Sequence, residues 1–117
     1  MKRILVIEDD RDTLDLLKYI IEDLNFDIHS ADRLIPLDEI ASIDPHITLI
    51  DYMLPNGRGS DLCLEIKKSE TTRHINVILM STHNQLATIS KDSCADAYLG
   101  KPFDIEDLAD MLLQFVK

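Results

Sequence analysis

Five short apolar runs, each followed by a stripe of helical period, constrain this chain more than any other feature. The runs are Arg3–Ile7 (RILVI), Phe26–Ser30 (FDIHS), Ile47–Ile50 (ITLI), Asn76–Met80 (NVILM) and Ala97–Leu99 (AYL). The first, third and fourth are almost unbroken in Ile, Leu and Val, the pattern of strands covered on both faces in a parallel sheet. The second alternates and reads as an edge strand, and the fifth is short. Between them, Leu14, Leu17, Ile21 and Leu24, widened by Leu16 and Ile20, describe one helix with Asp10 or Asp12 as its cap. Leu34, Leu37, Ile40 and Ala41 describe a shorter one with Pro36 in its first turn. Leu62, Cys63 and Ile66 face inward on a third that stops near Ser69–Thr72. The segment Asn84–Asp92 has only Leu86, Ala87 and Ile89 to bury and is the least firmly held. Ile105, Leu108, Ala109, Leu112 and Val116 form the last stripe, capped by Asp104. This order predicts an α/β fold, (βα)5, with a doubly wound parallel sheet. A parallel crossover must pass over the sheet right-handedly, so the helices cover both faces. The 117 residues make one domain, 1–117.

Charge and composition narrow the partners. Twelve Lys+Arg against 22 Asp+Glu leave a net charge of −10, which argues against a nucleic-acid backbone or an anionic membrane surface as a direct partner. No apolar run approaches the length of a membrane span and the first residues lack a signal peptide's apolar region, so a cytoplasmic location is expected. Cys63 and Cys94 stand far apart, in neither a disulfide framework nor a zinc spacing. Cys63, on an apolar stripe, reads as a small buried hydrophobe. His29, His46, His74 and His83 are scattered without metal spacing. Neither a GxGxxG nor a Walker A loop is present, and no nucleophile elbow marks a serine hydrolase.

The chemistry gathers where the strands end. In open α/β sheets ligands collect at the carboxyl ends of the strands. Those ends carry Glu8-Asp9-Asp10, then Asp51, then Ser81-Thr82, then Lys101-Pro102. Taken singly, each has a plain reading: the acid triplet as a helix cap, Asp51 as a turn residue before Pro55 and Gly57, Ser81 or Thr82 as an N-cap, Lys101 as a solvated charge. Together these readings weaken, because Asp51 directly follows the buried run Ile47–Ile50. At an effective dielectric near 20 and a separation of about 5 Å, each like-charge pair costs about 3 kcal/mol. A raised pKa, a nearby lysine or a bound hard divalent ion relieves it.

At this point the chain resembles the receiver domain of two-component response regulators. The matching segments are ILVIEDD (Ile4–Asp10), LIDYMLPNGRG (Leu49–Gly59), VILMST (Val77–Thr82) and ADAYLGKPF (Ala95–Phe103), in order and with the family's spacing. The resemblance implies a flavodoxin-like, CheY-like sheet of strand order 2-1-3-4-5. It implies Asp51 as phosphoacceptor, and Mg2+ held by Asp9, Glu8, Asp51 and the backbone carbonyl of Met53. Lys101 would pair with Asp51 and then with a phosphoryl oxygen, and Ser81 would contact the phosphoryl group. Ser81 and Tyr98 would move inward on activation, and Met53 and His83 occupy positions that tune dephosphorylation. The implied partners are a histidine kinase or histidine phosphotransfer protein upstream, and a target protein docking on the face of the fourth helix, fifth strand and fifth helix. Such a chain is a switch rather than a turnover enzyme. A docking receiver that is never phosphorylated is one alternative. Another is an Asp-nucleophile phosphatase, which wants a second Asp where Met53 stands. The sequence departs from the common pattern at Thr82, Cys94 and Gly100. The last helix carries Asp104, Glu106, Asp107 and Asp110 with no base before Lys117, which disfavours the usual activated dimer. With a Met1-Lys2-Arg3 start and no output segment after Val116-Lys117, a stand-alone receiver is expected.

Overall fold

The structure, a computed structural model, describes residues 2–116; Met1 and Lys117, the ends of the expected domain, lie outside the described residues. Its elements are β1 (Arg3–Ile7), α1 (Arg11–Asp23), β2 (Asp27–Ala31), α2 (Leu37–Ile43), β3 (Ile47–Asp51), β4 (Met53–Leu54), β5 (Gly57–Arg58), α3 (Gly59–Lys68), β6 (Asn76–Ser81), α4 (Leu86–Asp92), β7 (Ala97–Gly100) and α5 (Ile105–Phe115). Five strands pair in parallel in the order β2-β1-β3-β6-β7. Setting aside the two-residue hairpin β4–β5, this is the predicted 2-1-3-4-5.

Alternation along the central strands divides one apolar sequence into two cores, because successive side chains point to opposite faces. Ile4 and Val6, Ile47 and Leu49, and Ile78 and Met80 face α1 and α5, where Leu14, Leu17, Ile21, Leu108 and Leu112 meet them. Leu5 and Ile7, Ile50, and Val77 and Leu79 face the other way, onto Ile40, Leu62, Cys63, Ile66 and Leu86 of α2, α3 and α4. The radius of gyration, 12.7 Å, matches the roughly 13 Å expected for a single compact unit of this length. At the amino edge of the sheet, opposite the rim described below, Lys2, His46, His74, Asn76, Phe115 and Val116 line a shallow cleft.

Three expectations need correction. Leu16, assigned to the buried stripe of α1, is 40 % exposed, and Ile105, the first residue of α5, is 52 % exposed. Helical period groups residues by angle but does not show where the partner surface stops. Ala87 also faces out, while Ser90 is buried in its place with a hydroxyl that finds no hydrogen-bond partner. In addition, Pro36 precedes α2 as its N-cap rather than standing in the first turn, and Leu34 lies in the loop before that helix.

Asp10 caps α1, accepting from the Thr13 N–H at 3.0 Å and the Thr13 hydroxyl at 2.6 Å. Asp104 caps α5 through the Glu106 N–H. Helices α1 and α4 end alike, with a left-handed residue just past the helix. At Asn25 (φ 65°) and Cys94 (φ 64°) the backbone turns so that Asn25 N–H reaches Glu22 O and Phe26 N–H reaches Ile21 O; Cys94 N–H reaches Lys91 O and Ala95 N–H reaches Ser90 O. Both are Schellman ends, which satisfy carbonyls the helix leaves open. Cys94 thus sits where geometry favours glycine.

Candidate functional site

Parallel pairing puts the carboxyl ends of β1, β3, β6 and β7 on one rim, and four separate sequence segments meet there. Glu8 and Asp9 follow β1 directly, Asp51 is the last residue of β3, Ser81 the last of β6, and Lys101 the first residue after β7. One carboxylate oxygen each from Glu8, Asp9 and Asp51 lie within 4.8 Å of one another, so the three could hold a metal ion. Glu8 is fully buried, Asp51 is 9 % exposed and Asp9 is open to solvent. The Lys101 Nζ lies between the two buried acids, in contact with Glu8 Oε1 and 3.3 Å from Asp51 Oδ1. Its own main-chain N–H donates to Ser81 O at 2.8 Å, so the β6 and β7 ends are tied together behind it.

The electrostatics follow from this crowding. Burial, and next the neighbouring Glu8 carboxyl, push Asp51 up to about 7 despite the opposing pull of Lys101. For Lys101, burial acts to lower the pKa, but the Glu8 and Asp51 carboxylates together outweigh it and the net shift is upward. Asp10 behaves differently: its hydrogen bonds to Thr13 lower its pKa, in keeping with a capping role. The acid triplet of the sequence is therefore split, with two acids at the rim and one closing the helix.

The surrounding loops frame the cluster. Gly59 opens α3 against β3 so closely that a Cβ there would lie 2.1 Å from Asp51 O, and its N–H donates to Tyr52 O at 2.7 Å. Ser81 is buried, and its Oγ accepts the His83 N–H at 2.9 Å. The His83 ring meets Tyr52 edge-on, centroids 5.6 Å apart, while the Arg58 guanidinium lies 5.8 Å from the Tyr52 ring centre. The Met53 side chain is 59 % exposed. Tyr98 does not join the cluster: it is 49 % exposed and paired in register with Leu79. Thr82 instead lines an apolar cleft with Leu16, Lys101, Pro102 and Phe103, beside the rim.

Two parts of this arrangement escaped the sequence reading. The Arg58–Tyr52–His83 cluster brings His83 onto a ring that lies far from it in sequence, with no local signal. The miniature hairpin β4–β5, paired Met53 to Arg58 and Leu54 to Gly57, was signalled only by its Asn56-Gly57 pair.

Sheet order and rim together define a flavodoxin-like α/β module with a cation-ready acidic site at its switch point. The family model of the response regulator receiver domain matches residues 4–113, and the chain belongs to that family. Among curated proteins it is similar to the response regulator ArlR of Staphylococcus saprophyticus, 34 % identical over 110 residues, covering 92 % of this chain and 49 % of that one. It is also similar to the DNA-binding dual master transcriptional regulator RpaA of Synechocystis, 33 % identical over 111 residues, covering 92 % and 46 %. The chain thus spans about half the length of these relatives. Among solved structures, the signal receiver domain of a DNA-binding response regulator from Colwellia psychrerythraea superimposes with a TM-score of 0.86 at 28 % identity, covering 99 % of this chain and 98 % of that one. Among the described residues, no helix is long and apolar enough to cross a membrane.

Proposed function

We propose that the single domain 1–117 is a phosphorylation switch in which Asp51 accepts a phosphoryl group from the phosphohistidine of a histidine kinase or histidine phosphotransfer protein. The observation that carries this reading is the placement of Asp51 at the tip of a central strand, between two further carboxylates and an ammonium. An Asp51 oxygen attacks phosphorus, the phosphorus–nitrogen bond of the donor breaks, and the imidazole departs with the electron pair and takes up a proton. Ionised Asp51 is already a nucleophile and needs no general base. The donor set fits Mg2+: hard oxygens come from Glu8, Asp9 and Asp51, and the Met53 carbonyl, as the family resemblance implies, would be a fourth. When bound there, Mg2+ supplies charge neutralisation for the phosphoryl oxygens, the main requirement of this chemistry. Lys101 supplies a second positive charge from the opposite side, and Ser81 Oγ a hydrogen bond to a phosphoryl oxygen.

To make that bond Ser81 turns from the His83 N–H it now accepts, which loosens the β6–α4 loop. Helix α4, held by Leu86, half-buried Ile89 and the unsatisfied Ser90, is the element such a change shifts most easily. Tyr98 then follows inward, and Met53 and His83, flanking the acceptor, set how fast water removes the phosphoryl group. The output is a protein target docking on α4, β7 and α5, where Tyr98, Ile105 and Leu113 are exposed beside Glu106, Asp107 and Asp110. We place this switch in the cytoplasm, with its kinase.

The test is intact-protein mass after incubation with Mg2+ and acetyl phosphate, beside Asp51→Asn, with a purified phosphohistidine donor as a second phosphate source. One phosphoryl group gained by the parent alone is the expected result. No gain from either source would overturn the reading in favour of a docking receiver.

A further inference from the structure

The turn of the β4–β5 hairpin grips one residue of a distant loop in two independent ways. The Asn56 carboxamide accepts the Leu34 N–H at 2.9 Å through Oδ1 and donates to the Leu34 carbonyl at 3.0 Å through Nδ2. Exchanging both bonds with one residue is what a neighbouring antiparallel strand does, so one side chain here stands in for a strand partner. The next residue, Gly57 (φ +152°), lies so close to the Leu34 side chain that a Cβ would come within 2.8 Å of Cδ1. Leu34 itself packs on the core beneath α2 and α3. The hairpin is therefore anchored at its tip to a loop that the core holds fixed.

This matters because of what the hairpin carries. Met53 opens it, two residues after Asp51, and its pairing with Arg58 is only two residues long. A hairpin of two paired residues per strand is not stable by itself. We propose that Asn56 is a positioning residue of the cation site: by locking the hairpin tip to Leu34 it fixes the Met53 backbone for the ion. The inference rests on the Mg2+-dependent reading above. It concerns the support behind a ligand, which commonly governs metal affinity as strongly as the ligand does.

The test compares parent and Asn56→Ala. Asn56 is exposed and is not among the described non-glycine residues with positive φ, so alanine fits its backbone. Three quantities are read: the Mg2+ dissociation constant by titration calorimetry, the melting temperature in EDTA, and the exchange rate of the Leu34 amide. The expected result is faster exchange at Leu34, an unchanged melting temperature in EDTA, and Mg2+ binding weakened about tenfold, the low end for loss of support behind a metal ligand. Equal affinity in parent and variant overturns the inference and leaves the proposed function standing. So does a weaker affinity with a much lower melting temperature, since Asn56 would then be a general stabiliser. A parent that binds no Mg2+ overturns both.

Discussion

At Asp51, burial and the Glu8 carboxylate oppose ionisation while Lys101 favours it, and opposition wins: the folded-state pKa is about 7 against an ordinary 3.8. Between those values the folded chain binds more protons than the unfolded one, so this residue's contribution to stability falls as pH rises through the window and is least favourable above pH 7. Asp51→Asn removes the charge and keeps the shape. The shift already includes the attraction to Lys101; with solvent and local relaxation screening the charge, the gain at pH 8 is on the order of 2 kcal/mol, about half of what the full shift would give. Urea unfolding of parent and variant at pH 8 and pH 4.5 checks this. The variant is the more stable at pH 8, and the gap narrows sharply at pH 4.5; a variant less stable than the parent at pH 8 would contradict the repulsion between carboxylates. The same site that makes the residue costly keeps its carboxylate beside the Lys101 ammonium. Lys67 and Asp96 offer a contrast: their 3.0 Å pair, with Asp96 also accepting the Val77 N–H, ties α3 to the start of β6 and asks for no cation.

Among the elements, α4 is a short helix of seven residues that buries Leu86 and Ser90. Its end depends on Cys94 adopting a left-handed turn that costs a side chain about 1 kcal/mol and costs glycine almost nothing. Cys94→Gly is therefore expected to stabilise the chain by about 1 kcal/mol, offset in part by greater freedom of the unfolded state. Chemical denaturation gives the sign; a destabilised variant would mean the exposed thiol contributes more than the turn costs. The short apolar face of α4 was legible in its sequence, because Asn84–Asp92 offers only Leu86, Ala87 and Ile89, and of these Ala87 faces out. The strands were legible for a related reason: continuous runs such as Ile47–Ile50 fit only a position covered on both faces. The rim followed, since the residue after each run must lie at a carboxyl end. What period could not reveal was extent, as Leu16 and Ile105 demonstrate, or contact across loops. The Asn56–Leu34 clamp and the Tyr52–His83 stack depend on loops meeting above the sheet, and no spacing along the chain encodes that. The division of Glu8, Asp9 and Asp10 was legible only through the family resemblance, which gives Glu8 and Asp9 to the ion; the residues alone allow either Asp10 or Asp12 to cap α1, and the geometry of Thr13 decides.

For the whole molecule, a net charge of −10 concentrates in part at one rim, where three carboxylates meet a single buried ammonium. A divalent cation that binds there binds the folded chain and not the unfolded one, so it must raise stability by mass action. At ten times its dissociation constant the increment is about 1.4 kcal/mol, which for a domain of this size is a rise of roughly 6 °C in melting temperature. Thermal unfolding with Mg2+ against EDTA, repeated on Asp51→Asn, measures it; the shift shrinks in the variant, and an equal shift in both would locate the ion elsewhere. The two cores lie on opposite faces of the sheet, with α1 and α5 on one side and α2, α3 and α4 on the other.

The cleft at the amino edge has a practical corollary. Lys2 and Val116, the first and last described residues, both line it, on the side of the sheet away from Asp51. A fluorophore, an affinity handle or a second protein joined at either end therefore leaves the route to the rim clear. Linking the old ends there and opening the chain at an exposed turn such as Asn84–Gln85 would make a circular permutant whose new termini flank α4. Reporter dyes on those termini would register any displacement of that helix directly.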